Sequence, residues 1–344
     1  MVSCRFCNRD EKRATVSLYE EAFPQDEKVF VDAFYKYEVP HNRVAGAFKD
    51  GILQSMMHLH PMRLRGGALE VETVYIVAVA TYRACRKRGL YRQLLRWTMN
   101  KLYGESMPFV LLMPANERIY YPFGFRTQIE MGRRRVTKPQ ASELIFEEMQ
   151  IIDAADLDRM NAYAAGRLHI ARDADWSLRT LGTYPAMKGG IVRVHRGDVI
   201  VGYLRYTAED ALHVVDLLAE PADEEEILRA FAADRGVEAM TFDMARVVGD
   251  EPTNDILKYM FRIVDLAAFT NLLYADRMVD WTLRVDDALI AENNGTWRFY
   301  TENGKVRMQS VTDAPGLETV DIGDLLRRLA KICLPMESCF HEIV

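Results

Sequence analysis

The sequence predicts a mixed α/β fold of the α+β kind, in three successive units spanning 1–135, 136–255 and 256–344. Three observations carry this. A chain of 344 residues exceeds what one core organises, at roughly 100 to 200 residues per domain. Period-two apolar alternation recurs in three separate blocks, each flanked by helix-period segments. Breaker stretches fall between the blocks, a soft one at "TKPQAS" and a stronger one at "GDEPTND".

The first unit opens with two helical patterns over 11–37, "EKRATVSLYEEAF" and "DEKVFVDAFYKY", parted by "FPQD". The period then becomes two. "RVAGAFKDGILQSMMHL" reads as a hairpin about Asp50-Gly51, and "GGALEVETVYIVAVAT" as a long strand entered through Gly66-Gly67. A basic turn, a helix over about 89–103, a strand at "PFVLLMP", a brief helix at "NERIYY" and a strand after Gly124 complete it. In the second unit an amphipathic helix, "DAADLDRMNAYAAGRL", precedes a three-strand meander over 190–220. The helix "DEEEILRAFAADRG", closed by Gly236, and the strand "VEAMTFDMA" follow. The third unit, starting near 258, reads as a helix at "LAAFTNLL", strands at "VDWTLRVDDALI", "TWRFYTENG" and "KVRMQSV", and the helix "IGDLLRRLAKI".

Composition narrows the function. A net charge of −6 speaks against nucleic acid as the main partner, since phosphate affinity needs excess Lys and Arg on one face, and favours a cationic substrate. No apolar run approaches the roughly 20 residues of a membrane helix, and Met1 is not followed by an export signal, so the expectation is a cytoplasmic protein without a membrane partner. Five cysteines, one pair as Cys4-x-x-Cys7, lack further ligands at zinc spacing and read as free thiols. No metal site is expected.

The basic turn is the feature that asks for a ligand. In "ATYRACRKRGLYRQLLRW", residues 80–97, Gly89 lets backbone approach a ligand closely, and the first amides of the following helix point outward. Helix dipole and free amides make an anion site. Arg83, Arg86, Lys87, Arg88 and Arg92 supply more charge than a single phosphate requires, which suits a pyrophosphate. Cations at a helix N-terminus oppose its dipole, so a bound anion offsets them. A solvated charged face is the alternative. Neither GxxxxGK[ST] nor GxGxxG is present.

This segment, "VATYRACRKRGLYRQLL", resembles the acetyl-CoA-binding pattern [RQ]xxGx[GA] of the GNAT N-acetyltransferases, carried by Arg86, Lys87, Arg88, Gly89 and Leu90. Tyr91 stands where the pattern has a small residue. Together with "ANERIYYPFGF", the second meander unit and the ending "CFHEIV", it resembles the enhanced intracellular survival (Eis) family more specifically. That resemblance implies a GNAT fold, a second GNAT-like domain and a C-terminal domain like the sterol carrier proteins. It implies acetyl-CoA as cosubstrate and N-acetyl transfer to a primary amine such as an aminoglycoside, a polyamine or lysine. Homo-oligomers, trimers or hexamers, are typical of the family.

By the same resemblance Val79, Ala80 and Thr81 hold the pantetheine arm and thioester, with Arg86, Lys87, Arg88, Gly89, Leu90, Tyr91 and Arg92 at the diphosphate. Ala115 and Asn116 also touch the coenzyme. Tyr120 is the implied proton donor, a phenol protonated at neutral pH, although Tyr121 beside it is indistinguishable by sequence. The implied base is the C-terminal carboxylate of Val344, with Glu72 as a second candidate. Acidic residues Glu20, Glu21, Asp26 and Glu38 are candidates to line an amine cleft. The competing readings are a non-catalytic acetyl-CoA sensor, kept open by Tyr91, and a lipid- or sterol-binding protein with an apolar cavity in 258–344.

Overall fold

A computed structural model describes residues 2–67, 69–244, 252–275, 277–333 and 338–339. Strand β1 (Val2–Phe6) leads into helix α1 (Arg9–Ala14), which starts on a capping box. The Asn8 side chain accepts from the Asp10 and Glu11 amides, and the Glu11 carboxylate accepts from the Asn8 amide. Helices α2 (Val16–Ala22) and α3 (Lys28–Ala33) follow, the latter running into a wide π-type turn, Phe34–Glu38. Then come β2 (Arg43–Lys49) and β3 (Ile52–Gly66), joined through Asp50 and Gly51, both at positive φ as a primed hairpin turn requires. Strand β4 (Leu69–Thr81), helix α4 (Leu90–Tyr103), β5 (Phe109–Leu112) and β6 (Arg126–Thr137) complete the N-terminal block.

The second block holds β7 (Leu144–Glu148), α5 (Ala154–Ala164), β8 (Leu168–Ile170) and α6 (Ala174–Thr183). It continues through β9 (Gly190–Arg196), β10 (Val199–Thr207), β11 (His213–Ala219), α7 (Glu224–Asp234) and β12 (Ala239–Met244). Beyond it lie β13 (Pro252–Ile263), α8 (Leu266–Asn271), β14 (Asp280–Asp286), β15 (Gly295–Glu302), β16 (Lys305–Ser310), β17 (Thr319–Asp321), α9 (Ile322–Cys333) and β18 (Ser338–Cys339).

One continuous sheet orders its strands β1-β2-β3-β4-β5-β13-β6-β12-β11-β10-β9-β7, and a smaller sheet runs β16-β15-β14-β17. Strand β13 gives the main difference from the sequence reading, which put no strand there and began the third unit near 258. It pairs antiparallel with β5 on one side, Met260 opposite Leu112, and with β6 on the other, Tyr259 opposite Ile129, so the sheet of the first unit is closed from beyond the second. Local alternation could not reveal this, because nothing in "ILKYMFRI" names its partner strands.

Both faces of the N-terminal sheet are covered. Leu90, Leu94, Leu95, Met99 and Leu102 are buried on α4, and the last four pack on Ala45, Met57, Leu59, Ile76 and Val110. The opposite face buries Leu18, Tyr19, Val31 and Phe34 of α2, α3 and the π-type turn against Val44, Met56, Tyr75 and Val77. The third unit is bound to both layers. Helix α9 lies between the small sheet and strands β6 and β13, and α4 is held where Arg96 and Asn100 donate to the carbonyls of Ala288 and Leu289.

Candidate functional site

The site begins where β4 and β5 part. These parallel neighbours pair only from Val74–Ile76 to Val110–Leu112; β5 then ends, while β4 continues through Val77–Thr81 with no strand on that side among the described residues. A bulge marks the departure. Met56 pairs with Ala80 and His58 with Val77, so Ala78 and Val79 share one position opposite Met57, and Ala78 adopts φ +48°. A positive φ at alanine costs about 1 to 2 kcal/mol.

Past Thr81 the chain makes a short 3₁₀ turn, Arg83–Cys85, braced by the Arg83 amide on a Glu21 carboxylate oxygen (2.6 Å) and by Arg86 Nε on the Thr81 carbonyl (3.1 Å). Lys87 and Gly89 both sit at positive φ, +62° and +73°. Gly89 is the N-cap of α4, and no side chain caps the helix. Its first amides are therefore free for an anion. Arg86, Lys87, Arg88 and Arg92 are exposed, and none forms an ion pair among the described residues.

These parts enclose a cleft of about 490 Å³. Val79, Ala80 and Thr81 form one wall, Arg86, Lys87, Gly89, Leu90, Tyr91 and Arg92 the cationic end, and Ile119, Tyr120 and Phe123 the far wall. Arg88 lies beside the cleft on the same turn. Tyr91, where the pattern has a small residue, fills the inner corner: its ring meets Tyr120 and Phe123 edge-on at 6.2 and 5.6 Å, and its hydroxyl is buried without a partner.

The two adjacent tyrosines separate. Tyr120 joins two 3₁₀ turns, Glu117–Ile119 and Tyr121–Phe123, and it is Tyr120 that faces the cleft. Burial raises its phenol above the ordinary value, so it stays protonated. Tyr121 turns away and donates to Glu117 (3.1 Å), lining a neighbouring hollow of about 710 Å³. Ala115 and Asn116 line that hollow too, and the Asn116 side chain caps the 3₁₀ turn by accepting from the Arg118 amide. These two residues line that hollow and not the cleft that Tyr120 faces.

The other singled-out residues lie elsewhere or outside the described residues. Glu72 is exposed, pairs with Arg63 (3.3 Å) and lies eight residues from Ala80, roughly 26 Å along the strand; it is remote from the gap. Glu38 is buried between Arg179 and Thr183. Glu20 pairs with Lys28, Asp26 accepts from Tyr19, and Glu21 braces the turn. Val344 lies outside the described residues. Cys4 and Cys7 are free thiols in or beside β1, and burial pushes Cys7 up to about 11, which leaves it unreactive at neutral pH.

With this geometry in view, comparison with known proteins is informative. Residues 3–128 match the family model of the acetyltransferase (GNAT) domain. The chain carries a GNAT acetyltransferase fold. Residues 266–331 match the sterol carrier protein domain. Among solved structures, a conserved protein of unknown function from Enterococcus faecalis V583, described as a probable N-acyltransferase, is similar over 100% of both chains at 14% identity with a TM-score of 0.80. A GCN5-related N-acetyltransferase from Anabaena variabilis ATCC 29413 is similar over 94% of this chain and 89% of its own, at 16% identity and a TM-score of 0.77. Eis1 from Mycobacterium abscessus is similar over 94% and 88%, at 18% identity and 0.68. No curated protein matches in sequence.

GNAT enzymes use acetyl-CoA, and the cleft suits it. The uncapped N-terminus of α4, the left-handed Gly89 and the unpaired cations fit a diphosphate, and the β4–β5 gap fits an extended arm. Among the described residues no group of His, Cys, Asp or Glu is placed to hold a metal ion, and no helix is long and apolar enough to cross a membrane.

The carboxyl side of this wall is tightly fitted. A Cβ on Gly124, at φ +79°, would sit 2.6 Å from Ile322 Cγ2 of α9. Gly124→Ala is expected to cost about 1 to 3 kcal/mol, read as a lower midpoint in urea unfolding; an unchanged midpoint contradicts the fit.

Proposed function

We propose that the protein transfers acetyl from acetyl-CoA to a primary amine, with Tyr120 as general acid and the carboxylate of Val344 as base. The observation that carries this is Tyr120, protonated by burial and facing a cleft whose other end is a cationic helix N-terminus. The coenzyme supplies an acetyl group activated as a thioester. Lys87, Arg92 and the first amides of α4 hold the diphosphate, and the backbone of Val79–Thr81, free on the β5 side, orients the acyl group. Tyr120 Oη gives its proton to the departing sulfur as the C–S bond breaks, while the amine nitrogen forms the new N–C bond and its proton goes to the base.

The described lining of the cleft includes no carboxylate and no imidazole, which supports a base from elsewhere in the chain. Strand β18 pairs parallel with β8, and β8 antiparallel with β3, so the chain at 338–339 heads toward the end of β3 that pairs with Ala80. An ammonium of ordinary pKa near 10.4 needs such a base. Polyamines, aminoglycosides and lysine side chains are the acceptor classes, the protein acting as a cytoplasmic homo-oligomer of the Eis type.

Acetyl-CoA consumption over an amine panel tests the proposal. A chain extended by one glycine beyond Val344 moves the carboxylate one residue on, and turnover is expected to fall about tenfold to a hundredfold with coenzyme binding kept. Full turnover removes Val344 from the mechanism. The lipid-carrier reading is weakened by the interior of the third unit, where Leu283, Val285, Phe299, Val306, Leu325 and Leu329 are buried against one another and against Phe261 and Phe269.

A further inference from the structure

The turn that carries Tyr120 is short and irregular, so its stiffness must come from outside. A 3₁₀ turn leaves carbonyls without partners in its own backbone. Here two arginines brace it from outside, one of them adding a second donor to the Tyr121 carbonyl, which already accepts from the Gly124 amide (3.1 Å). Arg126 donates through Nη1 to the carbonyls of Tyr121 (3.0 Å) and Phe125 (2.9 Å), and Arg262 donates through Nε to the carbonyl of Phe123 (2.8 Å). Neither arginine belongs to the turn; one starts β6 and the other lies in β13.

Both guanidinium groups are balanced by the sterol-carrier-like unit. Arg262 is fully buried and meets the equally buried Asp287 at 2.5 Å, and Asp287 in turn accepts from the amides of Leu289 and Ile290 and from Asn293. Arg126 meets Asp321 in bidentate fashion (2.8 and 2.9 Å) and Asp324 at 3.2 Å, where β17 passes into α9. An uncompensated buried cation is strongly unfavourable, and a guanidinium fixed by a carboxylate loses its freedom to swing. Removing the aspartates therefore frees the arginines from the carbonyls.

We infer that the third unit is a positioning device for the acid: through Arg126 and Arg262, its aspartates clamp the turn that aims Tyr120 into the cleft. This rests on the general-acid reading of Tyr120. It assigns the sterol-carrier-like unit a task that needs no lipid. Asp321, Asp324 and Asp287 are positioning residues and touch no reactant.

The test is a double-mutant cycle between Tyr120→Phe and the pair Asp321→Asn with Asp324→Asn, on the full chain. Asp287 is left intact because its loss threatens the fold. The aspartate pair is expected to lower kcat roughly ten- to hundredfold, with the Kd of acetyl-CoA unchanged within twofold and the melting temperature close to wild type. Asp321→Glu restores part of the turnover. Combined with Tyr120→Phe, the pair costs less than a further twofold, because its effect passes through the phenol.

Asp280→Asn, which breaks the surface pair with Arg298 on the same small sheet, serves as the control and keeps full kcat. Full turnover by the aspartate pair alongside an impaired Tyr120→Phe overturns the clamp alone, as does a fully additive loss. Full turnover by Tyr120→Phe overturns the acid assignment directly, and the clamp with it.

Discussion

Tyr120→Phe is expected to lower kcat about a hundredfold to ten-thousandfold, the range that a positioned proton donor supplies, while acetyl-CoA binds as before. The substitution removes one oxygen and keeps the ring, so the edge-on contacts with Tyr91 and Phe125 survive and the fold should not change. The pH profile adds a second, independent readout. A donor must be protonated to act, and burial raises the phenol above its usual value, so the midpoint of any alkaline decline in wild-type kcat should lie above pH 10, the ordinary phenol value. Stopped-flow turnover with calorimetric coenzyme binding checks both points. A wild-type rate from the phenylalanine variant would move the proton donor elsewhere.

Lys87→Ala with Arg92→Ala is expected to weaken acetyl-CoA binding about a hundredfold or more. Each charge-assisted hydrogen bond contributes about 1.5 to 3 kcal/mol, and neither side chain has a carboxylate partner that would already have taken that energy. Their charges face the cleft beside the free amides of α4, so they also oppose the helix dipole until an anion arrives. The double variant should therefore be no less stable than wild type without ligand, and wild-type binding should fall steeply with added salt. Calorimetry at two ionic strengths reads both. Equal Kd values in variant and wild type would show that the turn does not grip a diphosphate.

Much of this was legible in the residues. The left-handed cap at Gly89, the Asp50-Gly51 hairpin turn and the buried stripe of α4 are local properties, and local chemistry decides them. Distance was not legible. Period-two alternation could say which face of β4 Glu72 occupies, but not that the gap opens only after Ile76. Nor could it choose between Tyr120 and Tyr121, because the choice is made by two 3₁₀ turns whose geometry depends on Arg126 and Arg262. Those arginines gave a weak signal: a single cation inside the apolar run "YMFRI" reads as a solvated side chain until its aspartate, 25 residues on, is brought to it by the fold. Nor could alternation say that Ala115 and Asn116 line the neighbouring hollow, into which the chain leaving β5 turns.

Closing a sheet with β13 has a consequence for biosynthesis. When Phe109–Leu112 leaves the ribosome, β4 is already made, but the strand that pairs with its other edge is still some 150 residues from being made, a wait of about 8 to 30 s at ordinary synthesis rates. For that interval the nascent chain bears a four-residue apolar ribbon with one unpaired edge, the kind that recruits stray strands. The N-terminal block thus cannot mature in the order it is translated, and its completion is tied to the arrival of a segment made long after it.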